Sequence, residues 1–314
     1  MAFMVSFRSA ERQAAHALSK ANAIGQSRHA AKAAGNQAIH SFGSLRNYTE
    51  AVKLAARWYA SQGQVGRDGF NGQIKDMTAE QAREYLTLRA SEVGQKQLDL
   101  DRQALQYVVG ERIERHQPYA DREDRLATQS RAYSQTQIEA IASRQAPQDA
   151  LATLIAAAAG LRAHELLTLD RVKDQAASTH REFRDDRFAA RTEAFERYTV
   201  VGKGGLIREV AIPKELADRL ERVRLPEPAG VRDRGIWYRA HYAISGGQKW
   251  SQSFTRASRA ELGWSAGAHG LRHTFTQDRI EQLQRAGYSW RDAKEVASQE
   301  LGHFREDVTN AYLR

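Results

Sequence analysis

Along the first third of the chain the apolar residues recur at helical spacing. Leu45, Tyr48, Val52, Ala56 and Tyr59 fall three or four residues apart and predict a helix that begins near Ser44 and stops before Gly63. Thr78 followed by Gln81 is a capping-box pattern, in which each side chain satisfies the other residue's backbone donor, and it opens a second helix through Leu86. Leu98, Leu105, Val108 and Val109 mark a third, ending near Gly110. With the first segment, and with no proline before Pro118, these predict a bundle of about four helices. Residues 111–132 are charged, lack a clean period and contain Pro118, as linkers do. Ser134 and Gln137 form another capping box ahead of Ile138 and Ile141. Farther on the period shortens. Thr199 to Val201 and Leu206 to Ile212 are strand-like runs on either side of Gly202-Lys203-Gly204-Gly205, a hairpin signal. Pro213 ends the hairpin, Leu216, Leu220 and Val223 continue as a helix, and the rest to Arg314 reads as mostly helical. The expectation is a mainly α protein with a small antiparallel β-sheet. Residues 1–40 would be a basic segment (an arm or an extra helix), 41–115 a helical domain, 116–132 a linker and 133–314 a second domain.

Composition narrows the setting. A chain of 314 residues, 41 % of them hydrophobic, suits two soluble domains. The longest apolar run, Leu151 to Gly160, falls short of the roughly 18 residues of a membrane span, so no membrane partner is expected. Met1 to Phe7 has neither a preceding charged region nor a small-residue cleavage site, so no signal peptide is expected. Cysteine is absent, which excludes disulfides, thiolate metal sites and cysteine nucleophiles and points to the cytoplasm. The net charge of +9 favours a polyanionic partner, because lysines and arginines that meet phosphates release condensed counterions. Residues 1–120 hold 16 Lys and Arg against 11 Asp and Glu, leaving +4 for the remainder, so both halves could face one duplex.

Four separated pieces could carry chemistry, and each is weak alone. Arg162 follows the alanine-rich helix in Gly160-Leu161-Arg162-Ala163-His164-Glu165-Leu166-Leu167. Such an arginine ordinarily pairs with a nearby acid, here Glu165; it could also be a guanidinium held by that acid and aimed at a phosphate. Lys203 stands among hairpin glycines, where a lysine is usually a solvated turn residue but could also be delivered to a leaving group; Lys249, after Gly246-Gly247, is the alternative. In His269-Gly270-Leu271-Arg272-His273-Thr274, His269 and Arg272 would share a helix face. No third metal ligand lies near the two histidines, so a zinc site is not expected. Leu301-Gly302-His303 precedes Tyr312 by nine residues.

In this order and local context the pieces resemble the tyrosine recombinase (phage integrase) family. The resemblance covers about residues 130–314, with residues 41–115 similar to the family's helical core-binding domain by type and position only. It implies a catalytic set of Arg162, Lys203, His269, Arg272, His303 and Tyr312, supported by Glu165 and His273. Tyr312 would be the nucleophile, His269 its base, Lys203 the general acid, and Arg162, Arg272 and His303 the groups that stabilise the transition state. The implied function is site-specific DNA recombination through a 3′-phosphotyrosyl intermediate, for integration or excision of a mobile element. The implied partners are double-stranded DNA, three further copies in a homotetramer on paired sites, and accessory DNA-bending or directionality proteins, with no cofactor or metal, in a nucleoid-associated setting.

Three departures stand out. Arg272 and His303 are 31 residues apart, longer than the usual interval, with Gly287-Tyr288-Ser289-Trp290 marking an added bend. A charged stretch, Thr179 to Arg197, precedes the hairpin. Only Leu313 and Arg314 follow Tyr312, so protomers are expected to couple through the N-terminal region and residues 279–300. A type IB topoisomerase, a non-catalytic DNA-binding accessory protein of the same fold and a basic structural protein remain as alternatives.

Overall fold

A computed structural model describes residues 9–24, 38–63, 72–115, 130–191, 193–202, 204–304 and 306–313. Lys203 and the larger part of the expected linker, residues 116–129, lie outside the described residues. The chain falls into two compact units, one up to residue 125 and one from residue 126.

The first unit is helical: α1 (Ala10–Ser19), α2 (Phe42–Ser61), α3 (Ala79–Glu92) and α4 (Gln95–Val109). The local signals act where the pattern placed them. Thr78 and Gln81 form the reciprocal capping box of α3, and Gly110 closes α4 in the left-handed conformation. Described residues of the 1–40 segment belong to the helical unit's core. Ala14 and Leu18 of α1 and Ile39 pack into the same core as Val52, Tyr59, Leu86, Leu98 and Leu105. Deleting residues 1–40 therefore removes core, and is a folding defect before it is an assembly defect. Ile113, near the end of the helical domain expected over 41–115, is also buried there.

The second unit begins earlier than residue 133. The Arg131 guanidinium donates to the Ala266 carbonyl at 2.8 Å, and Tyr133 exchanges two 2.8 Å bonds with Thr274. Its first elements are α5 (Gln135–Ser143), opened by the Ser134–Gln137 capping box, and α6 (Pro147–Ala159). An antiparallel sheet follows, β1 (Asp170–Arg171), β2 (Phe195–Val201) and β3 (Ile207–Pro213), then α7 (Lys214–Glu221). The next segment corrects the expected mostly helical remainder. Residues 224–242 form a second antiparallel hairpin, β4 (Arg224–Asp233) and β5 (Ile236–Tyr242). Its two-residue turn, Arg234-Gly235, has positive φ at both positions, which matches the twist of paired strands. Pro226 and Pro228 hide it in the sequence: neither can donate to a ladder, and the register shifts between Arg224 and Ala229. The chain then runs through α8 (Gly247–Leu262), α9 (Gly270–Arg285) and α10 (Trp290–Glu300), with the bend after α9 at Gly287. A short 3-10 turn, Glu306–Tyr312, follows. The core gathers Ile138, Ile155, Leu166, Val200, Ile212, Leu220, Trp250, Phe254 and Leu271 from all these layers. Among the described residues no helix is long and apolar enough to cross a membrane.

Candidate active site

Two glycine turns build the site. At the end of α6, Gly160 takes φ +62° and the Leu161 N–H reaches back to the Ala156 carbonyl at 3.0 Å. At the end of α10, Gly302 takes φ +78°, with the His303 N–H on Ser298 O at 2.9 Å and the Gly302 N–H on Gln299 O at 2.9 Å. Both turns thus satisfy helix-end carbonyls and throw the following residues outward: Arg162 from one, His303 from the other. Glycine is required for close approach as well as for φ. A Cβ on Gly160 would stand 2.6 Å from the Phe275 ring and 2.9 Å from Leu301, and one on Gly302 would stand 2.8 Å from Arg208. The two turns therefore lock together and bring Arg162 against His303.

Glu165 holds the cations. Its carboxylate is fully buried; Oε1 accepts from Arg162 Nη1 at 2.7 Å, and Oε2 accepts from the Arg162 N–H and from Arg208 Nη2, both at 2.8 Å. Arg272 lies 3.9 Å from the same oxygen. Burial pushes this carboxyl up, but Arg208, Arg272 and Arg162 outweigh it and hold it down to about 2. Arg272 is itself fully buried and donates to the carbonyls of Gly160 and Leu301. One carboxylate thus stands against three guanidinium groups, a local excess of two positive charges. Several donors have no partner among the described residues: Arg208 Nε and Nη1, Arg272 Nε and His303 Nδ1. Buried donors without a partner are uncommon in folded proteins, and their concentration here marks the cluster.

The His303 tautomer follows from its neighbour. Arg162 Nη2 lies 2.8 Å from His303 Nε2, and a guanidinium can only donate, so Nε2 accepts and the ring proton sits on Nδ1. Burial, then Arg272, Arg162 and Arg208, push this imidazole down to about 3, which keeps it neutral with a free N–H. His269, at the N-terminus of α9, is pushed down to about 4 by partial desolvation of its ring, then by Arg272, Arg131, His273 and Arg162. Its ring keeps a solvent-exposed edge, so water offsets part of that push.

Tyr312 lies within this cluster in its own chain. Its ring centroid is 5.5 Å from His269, 5.0 Å from His273 and 5.7 Å from His303, and the Arg272 guanidinium carbon lies 5.5 Å from it. Its carbonyl accepts from Gln277 Nε2 at 2.9 Å, which ties the 3-10 turn to α9. Of the residues singled out in the sequence, Arg162, Glu165, His269, Arg272, His273, His303 and Tyr312 come together; Lys203 is outside the described residues. Lys249 is exposed on the first turn of α8, and Tyr288 packs against the apolar group of Ile280, Leu283 and Val296.

Two features were missed by sequence reasoning. Arg208 was not singled out within the strand-like run Leu206 to Ile212; its place five residues after Lys203 was the only signal. The charged stretch 179–197 read as an insertion without a role, yet it is strapped to α10. Glu300, buried, accepts from Arg279 at 3.0 Å and from the Phe188 N–H at 2.9 Å, and Arg184 donates to Glu295 at 2.8 Å. Phe183 packs on Phe304, the residue after His303, with ring centroids 5.0 Å apart. The strap therefore backs the turn that carries His303.

No family model and no curated protein matches the chain. Solved structures do. The XerH site-specific recombinase bound to a palindromic difH substrate, in a post-cleavage complex, aligns over 97 % of this chain and 90 % of its own at 14 % identity, with a TM-score of 0.54. A lambda integrase dimer bound to a COC′ core site aligns over 91 % of this chain and 93 % of its own at 18 % identity, TM-score 0.53. A lambda integrase tetramer bound to a Holliday junction aligns over 90 % of this chain and 74 % of its own at 17 % identity, TM-score 0.51. At such identities the likeness is one of architecture, and it agrees with the order of the site residues along the chain: this protein has the fold of the tyrosine recombinases.

Proposed function

We propose that this chain is a site-specific DNA recombinase that cleaves and rejoins DNA through a 3′-phosphotyrosyl intermediate, in the service of integration or excision of a mobile element. The observation that carries this reading is a tyrosine beside Arg272, one of three arginines that share one carboxylate, with unpartnered buried donors on those arginines. A phosphodiester supplies the missing anion. The Tyr312 oxygen attacks phosphorus, the P–O5′ bond breaks, and the energy of the ester is kept in the new phosphotyrosyl bond. Charge gathers on the nonbridging oxygens in the transition state, where Arg162, Arg272 and the His303 N–H are suited to meet it. His269 takes the phenol proton and Lys203 returns one to the departing 5′-oxygen. The position of Tyr312 in its own chain's cluster supports attack in cis.

Double-stranded DNA is the proposed partner. The DNA-bound neighbours of the same fold support this, and the lambda integrase tetramer supports four protomers on paired sites. Accessory DNA-bending or directionality proteins would act on that assembly. Residues up to about 115 are proposed as the core-binding domain.

The test is the polarity of cleavage. On duplexes nicked near a randomised cleavage position, wild-type protein should form a detergent-resistant adduct with the strand bearing the 3′-phosphate and release a 5′-hydroxyl end. Adducts on 5′ ends, or none, would overturn the reading.

Two further outcomes check the assigned roles. A histidine base with the ordinary value of about 6.5 would lose activity below that pH. The folded value of His269 is lowered, so its neutral form persists as pH falls, and the acid limb of kcat/KM should lie near pH 4 to 5. A limb between pH 6 and 7 contradicts the assignment. A substrate with sulfur at the 5′-bridging position leaves without a proton, so it should restore cleavage by Lys203→Ala. It should not restore Arg162→Ala, whose defect of about 100-fold or more is lost charge stabilisation. Rescue of Lys249→Ala instead would transfer the role.

A further inference from the structure

Side chains of the β4–β5 hairpin alternate between two faces. On the inner face Ala240 and Tyr242 are buried, and the Tyr238 ring lies 6.3 Å from His164, two residues after Arg162. The Gly247 N–H, just beyond the hairpin, donates to the Ala163 carbonyl at 2.7 Å. The hairpin is thus built onto the loop that carries Arg162.

The outer face is of a different kind. Arg232 pairs across the strands with Trp237, and Gly230 with Arg239. A Cβ on Gly230 would stand 3.6 Å from the Trp237 ring, so the indole lies across the glycine. Trp237 is 69 % exposed, the most exposed of the large hydrophobic side chains among the described residues, and Ile236 beside it is 40 % exposed. Arg232 and Arg239 are exposed and have no hydrogen bond or ion pair among the described residues. The nearest acid, Asp233, points the other way: it is buried, pairs with Arg234 at 3.1 Å and accepts from the Gln248 N–H at 2.8 Å at the start of α8. Glu227 lies within the irregular stretch between Arg224 and Ala229, outside the regular pairing that aligns Arg232 and Arg239 with their partners. What remains is an indole flanked by two uncompensated guanidinium groups, a combination suited to phosphates on either side and a sugar or base between.

We propose that this outer face, Trp237 between Arg232 and Arg239, is a contact for double-stranded DNA beside the cleaved phosphate. The arginines engage phosphates, and the indole packs against sugars and base edges in a groove. The inference rests on the DNA-cutting function proposed above and adds to it a surface that no catalytic step uses.

The experiment measures binding of the full chain to a 30-base-pair duplex of random sequence by fluorescence anisotropy between about 50 and 200 mM salt. Arg232→Ala and Arg239→Ala should each lower the slope of log affinity against log salt by about 0.9. Trp237→Ala should weaken binding about tenfold with the slope unchanged. A second reading does not depend on variant affinity: the tryptophan emission lost in Trp237→Phe, taken as a difference from wild type, should be quenched or shifted by saturating duplex. Wild-type binding with unaltered variant affinities and slopes, or with no change in that emission, overturns the proposal. A DNA-free dimer that Trp237→Ala dissociates also overturns it, by assigning the face to a second copy of the chain. Failure of wild type to bind any duplex is a separate result, and it removes the DNA-cutting function itself.

Discussion

Glu165→Gln should cost about 3 to 5 kcal/mol of stability at pH 7 and leave cleavage barely detectable, although the change is one of charge and hardly of shape. The carboxylate is fully buried among Arg162, Arg208 and Arg272, and a neutral amide there leaves three cations in one another's field. Arg208 suffers most, since it is fully buried and, among the described residues, its side-chain hydrogen bond goes to Glu165. The linkage gives the same sign. Glu165 is held at about 2, below its ordinary 4.5, so its contribution is complete above pH 4.5 and is lost as pH falls toward 2. A depression of that size corresponds to roughly 3 kcal/mol at neutral pH. Urea unfolding of wild type and Glu165→Gln should differ most at pH 7 and converge as pH falls below 4.5. A difference below about 1 kcal/mol at pH 7 would mean that the arginines are stabilised by something else.

Local signals in the sequence were legible where they act within a few residues. The capping boxes at Thr78 and Ser134 and the glycine stops at Gly110 and Gly160 depend on bonds between near neighbours, and the structure has each of them. Arg162, His269, Arg272, His303 and Tyr312 were legible as a series because their order and flanking residues form a pattern, and the fold brings them within one cluster. What stayed hidden depends on distant partners. Arg208 gains its role from Glu165, 43 residues away. The strap at 183–191 is ordered by Glu295 and Glu300, more than a hundred residues later. The α1 region could be read as either an arm or an extra helix because only Ala14 and Leu18 of the helix are buried, too few positions to show a stripe. The β4–β5 hairpin was read as helical because two prolines break its alternation and its exposed face carries Trp237, an apolar residue where a polar one is expected.

The central claim is that Tyr312 is the nucleophile, and it has a direct chemical readout. Its ring centroid lies within 6 Å of those of His269, His273 and His303 and of the Arg272 guanidinium carbon, whereas Tyr288 packs against Ile280, Leu283 and Val296. Adduct formed on the nicked duplex pool would be digested with nuclease and trypsin, and the nucleotide-bearing peptide sequenced by mass spectrometry. Tyr312→Phe would be carried in parallel, with duplex binding measured to show that the protein is folded. The nucleotide is expected on Tyr312, within the tryptic peptide Glu306 to Arg314, with the adduct abolished in the phenylalanine variant while binding stays within about twofold of wild type. Modification of Tyr288 or any other residue, or adduct formed at wild-type yield by Tyr312→Phe, would contradict it.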